Sequence, residues 1–162
     1  MPLELRPEDA QPKFIIISSS GITQDSHNHL PFLFRIIYPW LLSGPHVDKL
    51  GMERILAHWA SWDWKDKTPR TDVLPTNWAT VPGTPGEGEL RKILVIRPAM
   101  FTSGECKGDK VQGGKAPYRV GEGNLPGHNG YTISRRDVAH FIVENALANW
   151  DEWKGKGATI AY

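Results

Sequence analysis

An α/β fold is predicted for this chain of 162 residues by three observations. Short continuous apolar runs have strand length, helical periodicities separate them, and the order along the chain is strand, helix, strand. The run "FIII" in "KFIIISSSG", residues 13 to 21, is rich in isoleucine and apolar throughout, as strands covered on both faces of a parallel sheet are. "HVDKLGMERILAHW" follows, with Met52, Ile55, Leu56 and Trp59 at spacings of three, one and three, a helix period. A second buried strand comes at "KILVIRPAMF", stopped by Pro98, which cannot donate to a central ladder. That order is the order of a right-handed crossover between parallel strands.

Towards the end, "SRRDVAHFIVENALANW" opens with Ser134 and carries Asp137 three residues later, a capping-box arrangement with Asp in place of the usual Glu. Val138, Phe141, Ile142 and Ala146 mark one face, and Val143, Leu147 and Trp150 widen it, so a deeply packed helix is expected. "GATIAY" closes as a last strand.

At 18.2 kDa the chain fits one domain, residues 1–162. Lys and Arg number 19 against 18 Asp and Glu, so no net field selects nucleic acid or an acidic membrane. A single cysteine, Cys106, forms no internal disulfide, which fits a reducing compartment and makes the cytoplasm the expected location. The stretch "LPFLFRIIYPWLLSG" is interrupted by Arg35 and Pro39 and falls short of the roughly 20 residues of a spanning helix, so it reads as a buried or lid-forming helix. The N-terminal "MPLELRPEDAQP" has acidic residues and prolines where a secretory signal places basic and then apolar ones.

Residues 61 to 90 carry prolines, glycines, scattered charge and three tryptophans with no sustained period, and read as a loop insertion. Residues 103 to 130 hold eight glycines and read as a second, substrate-side loop. His27 and His29 form an H-x-H pair without further ligands at useful spacing, so no metal site is expected. Cys106 lacks a flanking nucleophile motif, and no basic stripe interleaves the seven tryptophans as a base-stacking surface would need.

Two candidate sites stand out. Ligands of open α/β sheets bind at the carboxyl ends of the strands, where Ser18, Ser19 and Ser20 fall; a hydroxyl there can donate to a substrate carbonyl, or the cluster simply turns the chain. Lys49 heads the Met52, Leu56, Trp59 stripe, where it either reaches a cofactor ribose or pairs with Glu53 at i+4.

"FIIISSSG", "PHVDKLGMERIL", "ILVIRPAMF" and "YTISRRDVAHFIVENAL" follow in an order that resembles atypical short-chain dehydrogenase/reductase proteins, of the NmrA-like and biliverdin/flavin reductase-like type. The resemblance spans nearly the whole chain apart from 61 to 90. It implies a Rossmann-like parallel sheet flanked by helices and NADP or NAD as cofactor. Ser19 or Ser20 would take the family's serine position beside the nicotinamide with Ser18 alongside. Lys49 would contact the nicotinamide ribose, and Pro98, Ala99 and Met100 would line the nicotinamide. Asp137 would be structural.

Where the wider superfamily carries a tyrosine four residues before the lysine, this chain has Pro45. No glycine-rich turn between a strand and a helix precedes Lys13, and "GTPGEG" and "GEGNLPG" contain proline and lack that setting. The chain therefore looks like an N-terminally truncated family member, and three outcomes follow as expectations: a partner or second copy completes the sheet, the remnant rearranges, or the sequence is a truncated version of a longer protein. Two functions follow as expectations: an NAD(P)H-dependent reductase of a small carbonyl or conjugated compound held under residues 22 to 44, or a non-catalytic NmrA-like binding or interaction domain.

Overall fold

The computed structural model describes residues 7, 10–22, 43–110, 117–123, 125 and 131–162. The apolar segment from 31 to 42, and most of the expected lid, lie outside the described residues. The described chain has two compact units, one of residues 1–14 and 21–93, the other of 15–20 and 94–162.

In the first unit, helix α1 (Ser43–Trp59) accepts Pro45 in its first turn, where a missing N–H costs no intrahelical bond. It ends in a Schellman turn: the N–H of Ser61 donates to the His58 carbonyl at 3.1 Å and that of Trp62 to Ala57 at 2.7 Å. Ser61 takes the left-handed position, φ 57°, usually left to glycine. The expected apolar stripe is only partly the buried face, since Leu56, Ala57 and Glu53 are buried and Met52, Ile55 and Trp59 half-buried.

Residues 61 to 90 contain no regular element beyond a 3-10 turn at Trp78–Thr80, yet they are bound to α1. The Arg54 guanidinium lies 5.7 Å from the Trp64 ring and 5.3 Å from that of Trp78, and Trp78 meets His58 edge to face. Backbone bonds from Gly88 to His58 and from Leu90 to Trp59 close the segment onto the helix. Two of the tryptophans thus serve as clamps on one arginine, each contact of the cation–π kind.

The second unit is built on a four-stranded sheet in the order β1 (Phe14–Ile17), β2 (Ile93–Pro98), β6 (Lys156–Ala161), β4 (Arg119–Glu122). The first residues of β1 and β2, Phe14 and Ile93, belong to the first unit. Bonds from Phe14 N–H to Lys92 and from Ser18 N–H to Ile96 advance together along both strands, so β1 and β2 are parallel. β2 and β6 are parallel, with Leu94 opposite Lys156 and Pro98 opposite Ile160. β4 runs antiparallel to β6, Val120 opposite Ile160. Two short parallel strands, β3 (Met100–Thr102) and β5 (Thr132–Ser134), form a second sheet.

The α/β expectation holds, with a mainly parallel sheet. Two departures appear in the stretch read as glycine-rich loop: it contains β4, and Gly108–Lys110 forms a 3-10 turn.

Helix α2 (Arg135–His140) runs on as a π-helix over Phe141–Ala146, and α3 (Trp150–Trp153) follows. Val138, Phe141, Ala146 and Trp150 pack on Leu94, Ile96, Ala158 and Ile160, with Ile15, Ile17 and Val120 at the margin. The strand residues alternate, as one face of a sheet requires. The π turn puts Ala146, five residues after Phe141, on the buried face, and Leu147 N–H reaches back five residues to Ile142. Val143 and Leu147, expected to widen the packed face, are instead 58% and 41% exposed.

Candidate functional site

The strand-end serines sit where the sequence suggested. Ladder bonding between β1 and β2 continues past the regular strand, with Ser18 N–H on Ile96 at 2.7 Å and Ser20 N–H on Pro98 at 2.8 Å. Pro98 accepts at this end of the ladder and has no hydrogen to return, so pairing opens here. Gly21, at φ 84°, then turns the chain. The apolar run ends in hydroxyls because the strand has reached the margin of the sheet. Ser18 is buried, Ser19 and Ser20 are half-buried, and the Ser19 hydroxyl donates to the Ser20 carbonyl at 3.1 Å.

Pro98, Ala99 and Met100 stand beside them. Ala99 N–H donates to Ile160 at 3.0 Å and Met100 N–H to Tyr131 at 2.9 Å, so the chain leaves the main sheet here and enters the small one. Pro98 and Ala99 are buried, whereas Met100 is 48% exposed. The structure therefore brings together Ser18, Ser19, Ser20, Pro98, Ala99 and Met100 at adjoining carboxyl ends. Lys49, half-buried on α1, belongs to the first unit.

A second polar cluster lies at the start of α2. The side chain of Ser134 caps the helix, accepting from Asp137 N–H at 2.9 Å, and its hydroxyl faces the Asp137 carboxylate at 2.8 Å. The reciprocal half of the expected capping box is replaced: the Ser134 backbone N–H donates to Tyr162 Oη at 3.2 Å. Tyr162 in turn donates to Asp137 Oδ2 at 2.6 Å, and Gly108 N–H donates to Oδ1 at 2.8 Å.

Burial alone would push the Asp137 carboxyl up. The bonds from Tyr162, Gly108, Ser134 and Cys106 outweigh it and hold the group below its ordinary value. Burial and then the Asp137 carboxylate raise the Tyr162 phenol. The Cys106 thiol is pushed up by desolvation first and by Asp137 beside it, which leaves it a poor nucleophile at neutral pH. Tyr118 Oη meets His140 Nδ1 at 2.7 Å, and burial, with Asp137 next, pushes that phenol up to about 12.

This cluster ties strand, loop, helix and chain end together, which fits the structural role expected of Asp137. The Ser-x-x-Asp spacing signalled the cap, but nothing in the sequence pointed to Tyr162 or Gly108 as its partners. Among the described residues no group of three or more His, Cys, Asp and Glu is placed to hold a metal ion, and no helix is long and apolar enough to cross a membrane.

No protein-family model matches the chain. The chain is similar to the reductase pytE of Aspergillus terreus, at 30% identity over 154 residues. That match covers 93% of this chain and 48% of the relative, so the chain spans about half the length of the curated relative it matches. Among solved structures it is similar to a Rossmann-fold NAD(P)-binding family protein from Shigella flexneri. The alignment covers 92% of this chain and 93% of that one at 13% identity, with a TM-score of 0.36, a likeness too remote to argue from. The expected likeness to a reductase is thus found across nearly the whole chain.

Proposed function

We propose that the chain is the substrate-side part of an NAD(P)H-dependent reductase of the atypical short-chain dehydrogenase/reductase type. The observation that carries this is the group of small hydroxyl side chains at the carboxyl end of β1, bonded beside the carboxyl end of the adjacent parallel β2, in a chain related to a reductase along nearly its whole length.

The residues present fit the nicotinamide end of such a cofactor. Ser19, Ser20 and Ala99 are small enough to let a planar ring approach backbone, and Met100 offers an exposed apolar edge. NADP or NAD, when bound, supplies the hydride. On this reading Ser19 or Ser20 donates a hydrogen bond to the substrate carbonyl, Ser18 supports them from within the sheet, and Pro98, Ala99 and Met100 line the nicotinamide. Lys49 takes the nicotinamide ribose.

A titration with NADPH and with NADH, read by nucleotide fluorescence and thermal shift together with light scattering for mass, tests the proposal. Saturable binding is the expected result. Absence of binding up to millimolar nucleotide removes it in favour of the second reading, a non-catalytic NmrA-like binding or interaction domain. Pro45 is the observation that favours that reading, since it stands where the wider superfamily's tyrosine acid is found. A reductase lacking that tyrosine draws its proton from water or substrate.

A further inference from the structure

The chain leaving the strand-end site exposes two large apolar side chains in succession. Five such residues are exposed among those described, and Met100 and Phe101 are the two adjacent in sequence. Phe101 carries a cation on its face: the Arg135 guanidinium carbon lies 5.0 Å from the ring centroid. Arg135 is exposed, and its hydrogen bonds are two long ones from a single nitrogen, Nη1, to the Thr102 carbonyl and the Ser103 hydroxyl, each at 3.4 Å. Among the described residues nothing engages Nε or Nη2. The ring lies against the planar fork of an exposed side chain whose Nε and Nη2 donate to no described residue, the pair of donors by which arginine takes an oxyanion bidentately.

Its place relative to the serines is fixed by bonded neighbours. Ser20 N–H is bonded to the Pro98 carbonyl, and Phe101 is three residues further along, at most about 10 Å for extended chain. β3 and β5 are parallel and in register, Thr102 opposite Ser134, which sets Arg135 at the carboxyl end of the small sheet beside Phe101.

We propose that Arg135, stacked on Phe101, is a specificity-determining residue that binds a carboxylate of the substrate. The substrate class is then a planar carbonyl or conjugated compound that also carries a carboxylate. The inference rests on the reductase reading for the reaction, but not for the binding itself.

The test follows the full chain by amide NMR during titration with cinnamate and, separately, its uncharged analogue cinnamamide. Saturable shifts at Phe101, Ser103 and Arg135 with cinnamate, and an affinity at least tenfold lower for the amide, are expected. Arg135→Gln should lower cinnamate affinity at least tenfold and Arg135→Lys only in part restore it. Arg136→Gln, which removes the neighbouring exposed charge, should leave it unchanged.

Equal binding of amide and acid, or an unchanged affinity in Arg135→Gln, overturns the proposal. So does equal weakening by Arg136→Gln, which would mean general attraction by charge, and so does displacement of cinnamate by inorganic phosphate at lower concentration than cinnamate itself requires. NADPH binding is measured separately: cinnamate binding without it removes the reductase reading and leaves the carboxylate site, and the converse removes the carboxylate site alone.

Discussion

Asp137 is a fully buried carboxylate whose charge is tolerated because hydrogen-bond donors surround it. Tyr162→Phe removes one of them and also leaves the buried Ser134 N–H without its acceptor. A buried group left unsatisfied costs about 1 to 3 kcal/mol, and urea unfolding at pH 7 should show a loss of that order with an unchanged slope. The sign with pH follows from the lowered Asp137 pKa. A carboxyl held low in the folded state stabilises fully above its unfolded value, roughly 4, and that stabilisation fades as pH falls through the folded value. The gap between wild type and Asp137→Asn should therefore narrow in acid, and a gap that widened below pH 4 would contradict the assignment.

Among the elements, the C-terminal helix offers the sharper test of phase. A regular α-helix continuing from Phe141 would centre Asn145, four residues on, on the buried face, whereas the π turn brings Ala146 there, completely buried, and leaves Asn145, Val143 and Leu147 exposed. Ala146→Val should cost about 1 to 3 kcal/mol by overpacking, while Leu147→Lys should change stability by less than about 0.5 kcal/mol, as exposed positions do. Chemical denaturation of the two variants decides it, and an Ala146→Val variant as stable as the wild type would contradict the placement of Ala146 by the π turn.

The same elements show what the sequence made legible. β1, β2, β6 and α1 announce themselves through apolar runs and a 3.6 period, which are local signals. The π turn is invisible to that template because one extra residue shifts the phase. β4 was hidden because Arg119–Val120–Gly121–Glu122 lies in a glycine-rich run and is stabilised by pairing with β6, some forty residues later in the chain. The serines were found because they end an apolar run. Arg135 and Phe101 were not, since no spacing rule joins positions 34 apart whose meeting depends on β3 and β5 pairing.

For the molecule as a whole, ligand binding couples to stability. A ligand held only by the folded state at 100 times its Kd adds about 2.7 kcal/mol, which for a chain of this size raises Tm by roughly 5 to 10 °C. NADPH should produce such a shift in the wild type. Lys49→Ala should abolish the shift while leaving the Tm of the free chain within about a degree or two, as a half-exposed position on a helix allows. A Tm that dropped sharply with the NADPH shift intact would assign Lys49 to an ion pair within the fold.

Gly108 is buried, and a Cβ built on it would come within 2.6 Å of the His140 ring. Positions 108 and 140 are therefore one choice made jointly: while an imidazole occupies 140, only glycine is admissible at 108. If both were randomised together and folded clones selected, the survivors would be correlated pairs, with larger residues at 108 appearing only beside small ones at 140. Those small residues would forfeit the His140 bond to Tyr118, so the loop and the helix can drift in sequence only in step.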